Sequence, residues 1–173
     1  TIFVFLVIVN SINFIDGIDG LAITETIRVI LLIELISLKA TEISAIGYLA
    51  VFSLLPLYYF NFKKENKVFL GDAGSLLLGT LIAIYTIILL GDDFQIQDFF
   101  MSNKAILSIA ILIYPLFDLL RVFYIRIKNK KSPFRPDNNH IHHLLLKKGF
   151  NHFHICLIIQ LFSIVILFSV ILI

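Results

Sequence analysis

An all-α, polytopic membrane bundle is the fold class that three features of this sequence predict. Its residues are 59% hydrophobic, including 17 Phe, and its mean hydropathy is +0.97. Charged residues make up 15%, against roughly 25% in soluble domains. The apolar residues fall in runs long enough to cross hydrocarbon as helices, which satisfy every backbone polar group within the segment. A single membrane domain over 1–173 is expected, with about five and a half spans and a cytoplasmic loop over 128–151.

The first apolar run, 2–9, is about half a span by length. It lacks the basic leader of a signal peptide, so it reads as the tail of a longer helix and the chain as part of a larger protein. It leads into Asn10-Ser-Ile-Asn13-Phe-Ile-Asp16-Gly-Ile-Asp19-Gly-Leu. Polar groups beside hydrocarbon are costly and mark working sites. The three-residue spacings would align Asn10, Asn13, Asp16 and Asp19 on one face of a helix, while Gly17 and Gly20 permit a tight turn or close approach by a ligand. Such crowded oxygens suit a hard cation or a nucleotide; a packing cluster between helices is the plainer alternative.

Residues 21–38 form the next span, in which Glu25 and Arg28 are spaced to pair and Glu34 has no obvious local partner. A polar break precedes the span at 43–60, where Pro56 is a candidate kink. The charged stretch 61–67 follows. Phe69-Leu-Gly-Asp72-Ala-Gly-Ser75 then opens the span that runs to residue 90. Asp72, after a glycine at a helix start, is suited either to capping the helix or to holding a cation that a phosphate also touches. The acidic loop 91–103 precedes a span over 104–127, interrupted by Tyr114-Pro115 and carrying Asp118 and Arg121 as a second packing pair. The basic loop 128–151 holds Ser132-Pro-Phe-Arg135-Pro-Asp-Asn-Asn-His140-Ile-His142-His143. These histidines read either as a zinc site or as donors to phosphate oxygens, with Arg135 adding charge. The last span covers 152–173; His152 and His154 mark its interface, and Cys156, the single cysteine, is apolar filler.

Alternating crossings put the opening motif, the 63–72 segment and the 128–151 loop on one side. That side collects all 14 basic residues except Arg28, Lys39 and Lys104, which marks it as cytoplasmic. Three polar motifs on one face suit a Mg²⁺-assisted phosphoryl transfer between a soluble and a lipid-borne substrate. No nucleic-acid partner is expected.

The chain resembles the polyprenyl-phosphate N-acetylhexosamine-1-phosphate transferases over essentially its whole length. The resemblance rests on Asn10-x-x-Asn13-x-x-Asp16-Gly-x-Asp19-Gly-Leu-Ala, Phe69-x-Gly-Asp72-Ala-Gly-Ser-x-x-x-Gly79 and Ser132-Pro-Phe-x-Pro-Asp-x-x-His140-Ile-His-His143. The His-x-His-His form is similar to the GlcNAc-type branch. The resemblance implies transfer of a sugar 1-phosphate, with GlcNAc the expected hexosamine, from a UDP-N-acetylhexosamine to undecaprenyl phosphate. UMP would be released, in cell-envelope polysaccharide (lipopolysaccharide) or peptidoglycan precursor synthesis. It implies Mg²⁺, or Mn²⁺ in its place, on Asp72 with Asn13 beside it. Asp16 and Asp19 would line the nucleotide-sugar site, Asp19 near the uracil and Phe69 stacked on it, with Asn10 and Arg135 contributing. His140, His142 and His143 would contact phosphate or sugar. It also implies a multi-pass protein of the bacterial inner membrane with a cytoplasmic active site, and allows for a homodimer. The family's aspartate-rich motif on an earlier loop has no counterpart here, and Asn138 stands where the family often has a basic residue. The chain is therefore expected to be the C-terminal half of a transferase, inactive alone. A divalent-cation transporter is the rival reading, since its polar groups would line an ion path.

Overall fold

The computed structural model describes residues 1–97, 100, 103–133 and 138–171. Among them the chain forms eight α-helices: α1 (Ile2–Ile15), α2 (Leu21–Ile36), α3 (Ser44–Asn61), α4 (Gly71–Leu90), α5 (Lys104–Ile111), α6 (Ile113–Lys128), α7 (Ile141–Lys147) and α8 (His152–Ile171). An isolated bridge between Ser37 and Ile96 ties two loops together. The bundle is that of a multi-pass membrane protein. Helices α3, α4 and α8, at 18, 20 and 20 residues, are long and apolar enough to span. Helices α5 and α6 form a fourth candidate if counted as one span bent by 76°.

The expected five and a half spans therefore compare with three or four. Helix α1 has 14 residues and α2 has 16, roughly 21 and 24 Å at 1.5 Å per residue, short of a hydrocarbon core of about 30 Å. Helix α2 is instead a core helix. Its charges have partners within the protein: Arg28 pairs with Glu25, which also accepts from Gln160 Nε2 of α8 at 3.1 Å. Glu34 accepts from Tyr85 Oη of α4 at 2.9 Å and from the hydroxyl and backbone N–H of Thr41.

Helix α1 packs along α4, its most extensive partner, and also touches α6 and α2. Gly79 makes the α1–α4 approach close, since a Cβ there would lie 2.9 Å from the Val9 backbone. Small residues at such crossings bring backbones into contact where lipid gives little hydrophobic drive.

The bent span has a local cause. Pro115 lacks an N–H, so the carbonyl of Ile111, four residues earlier, loses its helical donor. The helix breaks at Leu112, and Arg28 Nη2 donates to the freed Ile111 oxygen at 2.9 Å. By contrast, α3 continues through Pro56.

Candidate functional site

The opening motif does not continue α1 as a single helix. Helix α1 stops at Ile15, Asp16 is its C-cap, and Gly20 takes φ +77° before α2 begins. A left-handed residue here favours glycine, and the space is also closed, because a Cβ at Gly20 would lie 2.3 Å from the Phe62 ring. Asn61, at the end of α3, holds the turn: its Oδ1 accepts from Gly20 N at 2.6 Å and its Nδ2 donates to Val68 O at 2.7 Å. The four polar residues consequently do not share one helix face. Asn10 is exposed, with its amide donating to Leu6 O of its own helix at 2.7 Å. Asn13 Nδ2 donates to Ser75 Oγ of α4 at 2.8 Å. Asp16 and Asp19 project from the turn.

Asp16, Asp19 and Asp72 line one cavity of about 250 Å³ with Ile18, Asn61, Phe69, Leu70 and Gly71. Partial burial, then the charges of Asp72 and Asp19, push the Asp16 carboxyl up to about 7. Asp72 lies in the first turn of α4, is exposed, and makes no capping bond; the N-cap position is Leu70 and has no side-chain cap at all. The capping alternative therefore has no support in the geometry. Ser75 Oγ donates instead to Asp72 O at 3.1 Å while accepting from Asn13, which joins the end of α1 to the start of α4. Phe69 is 70% exposed at the cavity wall, with Lys67 Nζ 4.9 Å from its ring centroid.

Asp19 is already partnered. Lys67 Nζ lies 2.6 Å and His152 Nδ1 2.7 Å from its Oδ2. His152 was expected only to mark the membrane interface; it belongs to this cluster because α8 starts beside the turn. His154 faces Asn151 at the exposed start of α8.

The histidine motif meets the same turn. A Cβ at Gly17 would lie 3.0 Å from His142 Nε2 and 3.3 Å from His143 Nε2. His140 and His142 stack at 5.4 Å with an interplanar angle of 11°, and His142 and His143 rings lie 4.4 Å apart. Burial, with His143 beside it, pulls His142 down to about 3 and keeps it neutral. No group of three or more His, Cys, Asp or Glu among the described residues could by itself hold a metal ion, which leaves the zinc reading of these histidines without support. Arg135 lies outside the described residues.

Four contributors escaped the sequence reading. Asn61, Lys67 and His152 surround the carboxylate turn, and Tyr114 Oη lies 3.2 Å from His142 Nδ1. Asn61 was visible as an amide ending an aromatic-rich span; the others carried no pattern, because their partners are far away in sequence. Asp118, read as half of a packing pair, also touches His140 Nδ1 at 2.8 Å.

The chain is similar in sequence to known proteins. The chain is 32% identical over 113 residues to an undecaprenyl-phosphate alpha-N-acetylglucosaminyl 1-phosphate transferase of Pasteurella multocida; the match covers 62% of this chain and 30% of that protein. The corresponding Haemophilus influenzae protein is 35% identical over 107 residues, covering 59% and 28%. A decaprenyl-phosphate N-acetylglucosaminephosphotransferase of Mycobacterium leprae is 32% identical over 114 residues, covering 63% and 28%. The matched part thus amounts to less than a third of each of these relatives. No solved structure matches the chain. Residues 1–90, which hold the carboxylate turn and the start of α4, match the profile of glycosyl transferase family 4, and the chain belongs to that family.

Proposed function

We propose that the protein transfers N-acetylhexosamine 1-phosphate, with GlcNAc as the sugar, from a UDP-sugar to undecaprenyl phosphate and releases UMP. The product would feed cell-envelope polysaccharide or peptidoglycan precursor synthesis. The observation that carries this reading is the meeting, at one end of the bundle, of the carboxylate turn, the Asp72 helix start and the histidine motif. The names of the relatives supply the sugar and the polyprenyl acceptor. Because the match spans under a third of each relative, turnover is assigned to the complete gene product.

In the transfer, an oxygen of the lipid phosphate attacks the sugar-bearing phosphorus of the UDP-sugar. The pyrophosphate bridge breaks on that side, and the bridging oxygen leaves with UMP. The protein's part is positioning and charge compensation. Asp19 and Phe69, beside the cavity, receive the uridine, which exchanges with Lys67 and His152 for the Asp19 carboxylate. Asp16 and Asn13 shape the wall on the phosphate side. The neutral His142 and its neighbours His140 and His143 face the phosphate or the sugar.

The residues present fit Mg²⁺, with Mn²⁺ the alternative. Asp72 and the Asn13 amide oxygen, left over once the nitrogen donates to Ser75, offer hard oxygen donors. Asp16 beside them is raised by its burial and then by the charges of Asp72 and Asp19. Mg²⁺ uses one or two protein carboxylates and completes its shell with water and substrate phosphate, so the lack of a closed ligand cluster is compatible with it. When bound, it would neutralise charge on the pyrophosphate.

Helices of this length and hydropathy, with the basic residues gathered at the motif end, support an inner-membrane protein with a cytoplasmic site. The carboxylates within helices are paired with protein groups rather than arrayed along a path, and nothing favours the cation-transporter reading. Incubating the detergent-solubilised complete gene product with Mg²⁺, undecaprenyl phosphate and sugar-labelled UDP-GlcNAc tests the assignment. Label should move to the lipid phase only when both substrates and Mg²⁺ are present; label that stays in the aqueous phase would refute it.

A further inference from the structure

The histidine motif rests on a buried carboxylate that the transfer scheme has not used. Asp118 is fully buried in α6, in the second turn after the bend. Its Oδ1 accepts from the backbone N–H of Ile141 at 2.9 Å and from Arg121 Nη2 at 3.2 Å. Its Oδ2 faces His140 Nδ1 at 2.8 Å. Arg121 also donates to the Asn139 carbonyl, just before the motif. A guanidinium and a backbone N–H on one oxygen favour the ionised carboxylate. An ionised carboxylate can only accept, so the hydrogen in the His140 contact belongs to Nδ1.

Tyr114 repeats the arrangement one turn earlier. Tyr114 and Asp118 are four residues apart and share a face of α6, as His140 and His142 are two apart and stack. Tyr114 Oη meets Nδ1 of His142, as Asp118 meets Nδ1 of His140. Both imidazoles are therefore held by the same nitrogen, and Nε2 is the free edge of each. His142 Nε2 is buried without a hydrogen-bond partner among the described residues, and it lies against Gly17 of the carboxylate turn. A packing ion pair between Asp118 and Arg121 alone would not need to engage the motif three times.

We propose that Asp118 is a positioning residue for the transfer. It fixes the His140 hydrogen on Nδ1 and sets the ring so that its Nε2 edge faces the substrate phosphate. Tyr114 orients His142 beside it. The inference rests on the transferase reading for its substrate, and on geometry alone for the tautomer. A carboxylate behind an imidazole sets both orientation and tautomer, and replacing it by an amide inverts the tautomer while preserving shape.

The test uses the complete gene product carrying Asp118→Asn and Asp118→Glu, with ¹⁵N-labelled histidine spectra assigned through His140→Gln. Wild-type His140 should carry its hydrogen on Nδ1, and Asp118→Asn should lose that signature. The Asn variant should lower kcat by about 100-fold or more, in the range of a misplaced acid–base group, with KM for UDP-GlcNAc within threefold; Asp118→Glu should recover part of kcat. An Nε2–H tautomer in the wild type, an unchanged spectrum in the Asn variant, or kcat within threefold of wild type would each overturn the proposal. If the Asn variant does not fold, the wild-type spectrum decides. If the wild type makes no lipid-linked product, the transferase reading alone fails and the spectra still judge Asp118.

Discussion

At the scale of single residues, the site gathers three carboxylates around one turn, of which Asp19 is paired with Lys67 and His152. Asp16 shows this most directly, since burial and its neighbours Asp72 and Asp19 raise it from 3.8 to about 7. A carboxyl whose folded pKa exceeds its unfolded value binds its proton more tightly when folded. Its contribution to stability is therefore greatest below pH 3.8 and is lost as pH rises through 7. Without divalent cation, Asp16→Asn should raise Tm at pH 8 by about 2 °C, a modest gain for a chain of this size, and raise it by less at pH 5, where only part of that stability has been lost. Thermal melts at the two pH values check this. The sequence made Asp16, Asp19 and Asp72 legible through their glycine-flanked spacing. It could not show that Asp19 is shared between Lys67 and His152, because those contacts span 48 and 133 residues.

At the scale of elements, α2 separates what hydropathy can read from what it cannot. Its apolar run announces a helix next to a membrane, and its Glu25–Arg28 spacing announces the pair. Its role as a short core helix is set by partners on other helices: Gln160 on α8, Tyr85 on α4 and the Ile111 carbonyl released by Pro115. Glu25→Ala would leave Arg28 charged and buried, where two of its nitrogens already lack partners among the described residues. Removing one member of such a pair costs about 3–5 kcal/mol, while replacing both by apolar groups is often neutral. Denaturation in detergent should therefore show Glu25→Ala strongly destabilised and Glu25→Leu/Arg28→Met close to wild type. Likewise, the break in the fifth apolar run was legible from Pro115, but not its consequence. The bend turns α6 so that Tyr114 and Asp118 lie beneath the histidine motif.

At the scale of the whole molecule, helix packing brings the carboxylate turn, the start of α4 and the histidine motif together. The all-helical membrane class and the motif residues could be read from the chain, whereas the turn that ends α1, the isolation of Asn10 and the support beneath the histidines depend on packing. Orientation is open to direct test in the complete gene product. A cysteine at Lys130 should react with an impermeant maleimide only in inverted vesicles, and one at Asp93 only in right-side-out cells; the reverse pattern would place the site outside. If Asp72 at the start of α4 serves the transfer and does not cap the helix, its loss should cost turnover and not stability. Asp72→Asn in the complete gene product tests it most directly, through lipid-linked product formation measured beside Tm. Turnover should fall by about 100-fold or more, as when a group stabilising developing charge is removed, with Tm no lower than wild type because Asp72 is exposed and makes no cap. Full activity in Asp72→Asn, or a loss that merely follows a fall in Tm, would contradict it.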